Sequence, residues 1–159
     1  MSDDIRYGAR GRMAETNYAW AAGFMDGEGC ILIAKGRTNG TATYYSLQVS
    51  ASQVDPAPLY RLRGIFGGSV CLTRPGSGNQ SPIYRWVISA RLAAPALVLM
   101  QPYLLVKGRE ARLAIRYQRY KASRGINHAG QEQPRNEWYK AALEGVKSQR
   151  KADAWAAAA

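Results

Sequence analysis

Over residues 42–53 apolar and polar side chains alternate. Tyr45, Leu47, Val49 and Ala51 point one way; Tyr44, Ser46, Gln48, Ser50 and Ser52 point the other. A period of two predicts a strand with one buried and one polar face. The run just before it, CILIAKGRT (30–38), is also strand-like and ends at Asn-Gly-Thr, a turn signal, so the two runs predict a hairpin. Ile31 and Ile33 share parity with Lys35 and Arg37, which plain alternation cannot reconcile with a single apolar face; a twist or bulge near Ala34 is expected. Asp55-Pro56 then starts a helix, with Asp55 as its cap and Leu59, Leu62, Ile65 and Phe66 as its apolar stripe, stopped by Gly67-Gly68. SVCLTR (69–74) and IYRWVISA (83–90) predict a second hairpin, with Trp86 facing the helices. Helices are expected over 95–105, 109–120 and 135–151, and a first one over 17–27 capped by Thr16 or Asn17.

Helix–hairpin–helix thus occurs twice, which implies an α+β fold: a four-stranded antiparallel sheet with helices on one face and the other face open. Residues 1–15, polar and rich in Gly and Arg, are expected to be a flexible arm; 16–151 form one domain, and the Ala-rich 152–159 a disordered tail. The open face carries Ser, Gln, Tyr, Lys and Arg rather than acids.

The chain has 159 residues, with 22 Lys plus Arg against 11 Asp plus Glu, a formal charge of +11. That excess points to a polyanionic partner. The N-terminus lacks the apolar segment of a secretory signal and no run is long enough to span a bilayer, so an intracellular protein is expected. The two cysteines, Cys30 and Cys71, lie in strand-like sequence and are expected as buried thiols. His128 is the one histidine, which argues against a Cys/His zinc site.

One stretch resists a purely local explanation. AAGFMDGEGC (21–30) places Gly23 and Gly27 inside a helix, where each costs about 1 kcal/mol relative to Ala. Asp26 and Glu28 then sit at the helix end that prefers cations. Residues 21–29 resemble the nine-residue signature of the LAGLIDADG homing endonucleases, with Gly27-Glu28-Gly29 at its acidic end and Ala21 in place of the usual leucine. The resemblance continues through the hairpin, the Asp-Pro…Ile-Phe-Gly-Gly segment, Tyr-Arg-Trp-Val-Ile-Ser and Gln-Pro-Tyr-Leu-Leu-Val-Lys, over about residues 17–121.

This resemblance implies a saddle-shaped αββαββα domain that cuts double-stranded DNA at a long, nearly palindromic site. A single copy of the motif implies a homodimer whose motif helices pack together. Ala19, Gly23 and Gly27 lie at i, i+4 and i+8, with Ala22 flanking, and would form the seam. The resemblance makes Glu28 the metal ligand, with the Gly27 carbonyl assisting, and Mg²⁺ the cofactor, Mn²⁺ or Ca²⁺ being able to substitute for binding. Two copies of Glu28 brought together would repel without a cation. By the same carry-over Gln53 and Lys107 position the attacking water and balance charge on the phosphate. A further basic residue found in some relatives falls at Pro56-Ala57-Pro58, leaving that role to Arg61 or Arg63 or unfilled. Asp26 is expected to be structural.

At about 3.4 Å per residue, Thr43 to Ser52 spans about ten base pairs, so a dimer would cover roughly 20. Tyr44, Ser46, Gln48, Ser50 and Arg85 are candidate base readers; Lys35, Arg37 and Arg74 are candidates for phosphate or base contact. Three alternatives remain open from sequence: a non-catalytic DNA binder on the same fold, a maturase-type splicing cofactor with intron RNA as partner, and a plain RNA-binding module.

Overall fold

The computed structural model describes residues 3–38, 42–124 and 133–158; the Asn-Gly-Thr turn and His128 lie outside them. The elements run α1 (Asp3–Glu28), β1 (Gly29–Thr38), β2 (Ala42–Gln53), α2 (Ala57–Phe66), β3 (Ser69–Arg74), β4 (Ile83–Ser89), α3 (Ala90–Met100), a 3₁₀ turn (Gln101–Tyr103), α4 (Gly108–Arg124) and α5 (Gln133–Ala158). The four strands form one antiparallel sheet in the order β1-β2-β4-β3, so each hairpin contributes one central and one edge strand.

The alternation of β2 is realised. Tyr45, Leu47, Val49 and Ala51 are buried beneath the helices together with Trp86 and Ile88 of β4. Trp86 donates its ring N–H to the Gly67 carbonyl at 2.9 Å, which satisfies a fully buried indole. At the start of α2 the Asp55 carboxylate accepts the Ala57 amide at 2.9 Å, and the helix stops where Gly67 and Gly68 take φ of 77° and 88°. Among the described residues no helix is long and apolar enough to cross a membrane.

The chain is more helical at both ends than its composition suggests. α1 begins at Asp3, fourteen residues before Asn17, so neither Thr16 nor Asn17 is a cap, and from Asp3 onward the segment expected as an arm is helix. α5 continues through the Ala-rich stretch to Ala158. A helix already nucleated by packing propagates at little further cost into residues that could not start one.

The expected bulge near Ala34 is absent: β1 pairs with β2 without interruption from Gly29↔Ala51 to Thr38↔Ala42. The parity conflict is resolved by a partner instead. Lys35 lies on the helix side, where its ammonium meets the Glu137 carboxylate of α5, which also accepts the Tyr45 hydroxyl. The irregularity sits in β3, between Leu72 and Arg74.

Candidate nucleic-acid interface and cleavage site

α1 passes into β1 with no intervening loop, Glu28 being the last helical residue and Gly29 the first of the strand. A Cβ on Gly29 would lie 2.6 Å from the Met25 carbonyl oxygen, so only glycine permits this junction. Glu28 is exposed at the tip. Behind it, Asp26 accepts two backbone amides from the segment leading into α4: Leu105 N–H at 2.7 Å and Lys107 N–H at 2.9 Å. Asp26 is therefore a structural carboxylate that fixes the approach of Lys107.

Helix geometry leaves the last four carbonyls of α1 without intrahelical donors. Lys107 supplies two of the missing bonds, its ammonium donating to the carbonyls of Met25, at 2.8 Å, and Asp26. Lys107 is only 8% exposed. Burial holds its pKa below the usual lysine range; repulsion from Arg150 adds to this, and Asp26, Glu110 and Cys30 partly oppose it. Arg150 is in turn held by Glu110, its Nε donating to Oε1 at 2.8 Å. The register Gly29↔Ala51 sets the end of β2, with half-buried Gln53, beside the same end of α1. Glu28, Gln53 and Lys107 thus lie toward the same end of the β1–β2 hairpin, where α1 meets the sheet.

Along α1, Ala19, Gly23 and Gly27 are exposed in a row. A Cβ on Gly23 or Gly27 would meet nothing within 4 Å, so no contact inside the chain asks for glycine there. Ala22 does not belong to the row: it is 0% exposed and packs in the core, because one residue of helix turns the side chain by about 100°. Beside the row, Leu105 stands 92% exposed and Val106 46%.

On the open face, Tyr44, Ser46 and Gln48 are accessible, and the Tyr44 ring lies across Gly36, where any side chain would collide with it. Ser50 is only 4% exposed and accepts a hydrogen bond from Arg85 at 3.1 Å, so its hydroxyl is taken up within the sheet and is not available as a separate contact. Lys35 is not on this face, being taken by Glu137, and Arg37 shares its parity and so the same side. Arg74 reaches the open face because of the β3 irregularity: it pairs with Ile83, two residues from Arg85 on the same side of β4. The β1 positions on the open face are Cys30, Leu32, Ala34 and Gly36, a small and apolar set. Neither thiol is buried: Cys30 is partly exposed and Cys71 exposed, both free. Arg61 stacks over the Trp20 ring at 4.1 Å and bonds Asn17, which ties it to α1 rather than to a phosphate.

A model of the LAGLIDADG endonuclease family matches residues 21–97, the span from the motif through α3. Over that span the motif, the order of elements and this match liken the chain to the LAGLIDADG endonucleases. The fold is similar to that of the homing endonuclease I-CvuI, solved in complex with the I-CreI target: TM-score 0.67 at 16% identity, over 84% of this chain and 83% of that one. It is similar likewise to the archaeal intron-encoded homing endonuclease I-Vdi141I complexed with DNA (TM-score 0.66, 14% identity, 83% and 84% covered) and to the homing endonuclease I-TnaI (0.57, 20%, 84% and 97%). No curated protein matches the chain.

Proposed function

We propose that this protein is a site-specific double-strand DNA endonuclease, acting as a homodimer on a nearly palindromic site with a divalent cation, Mg²⁺ by preference. The observation that carries this reading is the exposed row Ala19, Gly23, Gly27 ending at Glu28. Two glycines that weaken a helix and relieve no internal contact are explained by a second backbone approaching from outside. The exposed Leu105 and Val106 extend the surface that such a partner would cover.

The donor set suits a hard cation: the Glu28 carboxylate and the Gly27 carbonyl are both oxygen ligands. Among the described residues no three acids, cysteines or histidines converge, so one chain holds too few ligands and the second copy of Glu28 would supply its share. When bound, the cation would lower the pKa of a water and offset charge on the leaving oxygen. Gln53 would orient the water, and Lys107, anchored on the end of α1, would face the charge of the scissile phosphate. Tyr44, Ser46, Gln48, Arg85 and Arg74 would meet the duplex on the open face, with the ribbon in a major groove.

Cleavage of a degenerate duplex library with Mg²⁺, comparing the parent with Glu28→Gln, tests the reading. The parent should enrich a nearly palindromic site of roughly 20 base pairs, and the variant should bind that site but cut at least about 10³-fold more slowly. Binding without cleavage by the parent would establish a non-catalytic DNA binder instead. Gly23→Leu should sediment as a monomer and lose cleavage; a dimer of normal affinity would remove the seam from the proposal.

A further inference from the structure

The helix layer carries a second basic surface, away from the open face of the sheet. Arg109, Arg112, Arg116 and Arg119 of α4 lie at i, i+3, i+7 and i+10, all exposed on one face. None of them has an ion-pair partner among the described residues. The one acid of α4, Glu110, is buried and committed to Arg150. Like charges at these spacings repel and weaken the helix that bears them. Alongside runs a groove of about 430 Å³ between α3 and α4, lined by Pro95, Val98, Leu99, Ile115, Gln118 and Arg119. Val98 and Leu99 stand 45% and 40% exposed, an apolar strip left uncovered among the described residues.

We propose that this groove docks an acidic amphipathic helix from a partner protein. Its apolar side would lie on Pro95, Val98, Leu99 and Ile115, and its flanking carboxylates would meet Arg116 and Arg119, with Arg112 and Arg109 continuing the row. The arginine row covers about 15 Å, three turns of such a helix. Single-stranded nucleic acid fits less well, because the lining is mostly apolar and offers no aromatic ring for a base to stack on. The site is separate from the cleavage site and does not depend on the nuclease reading.

The probe is a fluorescein-labelled helical peptide of about five turns, leucines along one face and glutamates beside them. Controls are the same peptide with lysines for glutamates, a scrambled order of identical composition, and single-stranded oligouridine. Anisotropy titrations should give binding to the parent that weakens at least about tenfold in Val98→Asp and in Arg116→Glu/Arg119→Glu, and is unchanged in Arg85→Glu on the open face. Circular dichroism establishes that each variant is folded, and either groove variant suffices if the other is not. Equal affinity for the scrambled peptide, a loss confined to Arg85→Glu, or no binding at peptide concentrations on the order of 100 μM would overturn the proposal. So would oligouridine binding that the arginine variant abolishes and Val98→Asp leaves intact, which would assign the row to nucleic acid.

Discussion

Two lysines show how position sets the role of the same side chain. Lys107 is buried, donates to two carbonyls at the end of α1, and has its pKa lowered, chiefly by desolvation. Lys35 lies near the far end of the hairpin, exposed, and has its pKa raised, chiefly by its hydrogen bond to Glu137. The first is held by a framework that Asp26 and the Leu105–Lys107 backbone build around it, and removing its side chain strips two helix-end carbonyls of their donor at once. The second is an ion pair in water, where solvent screens most of the attraction. Contacts of similar length therefore differ in consequence.

Replacing Lys107 with Met should give the largest effect. Cleavage should slow by about 10²–10³-fold, and urea unfolding should show a loss of about 1 kcal/mol, two carbonyls losing a donor while the desolvated charge is relieved. The pH dependence sharpens the contrast. Lys107 titrates lower in the folded chain than unfolded, so the unfolded state binds more protons between the two values and the stability it contributes rises with pH across that window. Lys35 has the opposite sign: its contribution is complete below the unfolded value of 10.5 and is lost as pH rises through the higher folded one. Difference curves of parent against Lys107→Met and parent against Lys35→Met should thus bend in opposite directions above neutrality. The parent's cleavage rate should also fall on an alkaline limb that begins below pH 10.5 and is missing from the residual activity of Lys107→Met.

Glu137→Gln should change least. Its Tm should differ from the parent's by less than that of Lys107→Met, and the difference should shrink in high salt. Glu137 titrates below its ordinary 4.5, so its contribution is present above that pH and lost as pH falls through the folded value; the two melting curves should then converge in acid.

Much of this was legible in the residues. The β2 alternation placed Tyr44 and Leu47 on opposite faces, Asp55-Pro56 located the start of α2, and the glycines at positions 23 and 27 marked a surface with an unusual demand. What escaped was long-range. Lys35 could not be assigned a side without its partner Glu137, 102 residues away. Ser50 has the parity of an open-face residue, yet lies beneath Arg85 from the next strand. Arg74 depends on one extra residue in β3, and no local pattern announces it. The start of α1 was hidden because Gly8 and Gly11 read as breakers, whereas the helix that follows is secured by its packing.

On the proposed function, the direct passage from Glu28 to Gly29 would tie three tasks into one rigid piece. In the proposed dimer, the helix that would meet its twin, the acid that would serve the reaction and the first strand of the sheet share a continuous backbone with no slack between them. In such a dimer, tilting one subunit against the other would slide the two half-sites along the duplex and displace both acids in the same motion. Altered pairings of subunits should shift where the strands are cut as well as which sequence is chosen.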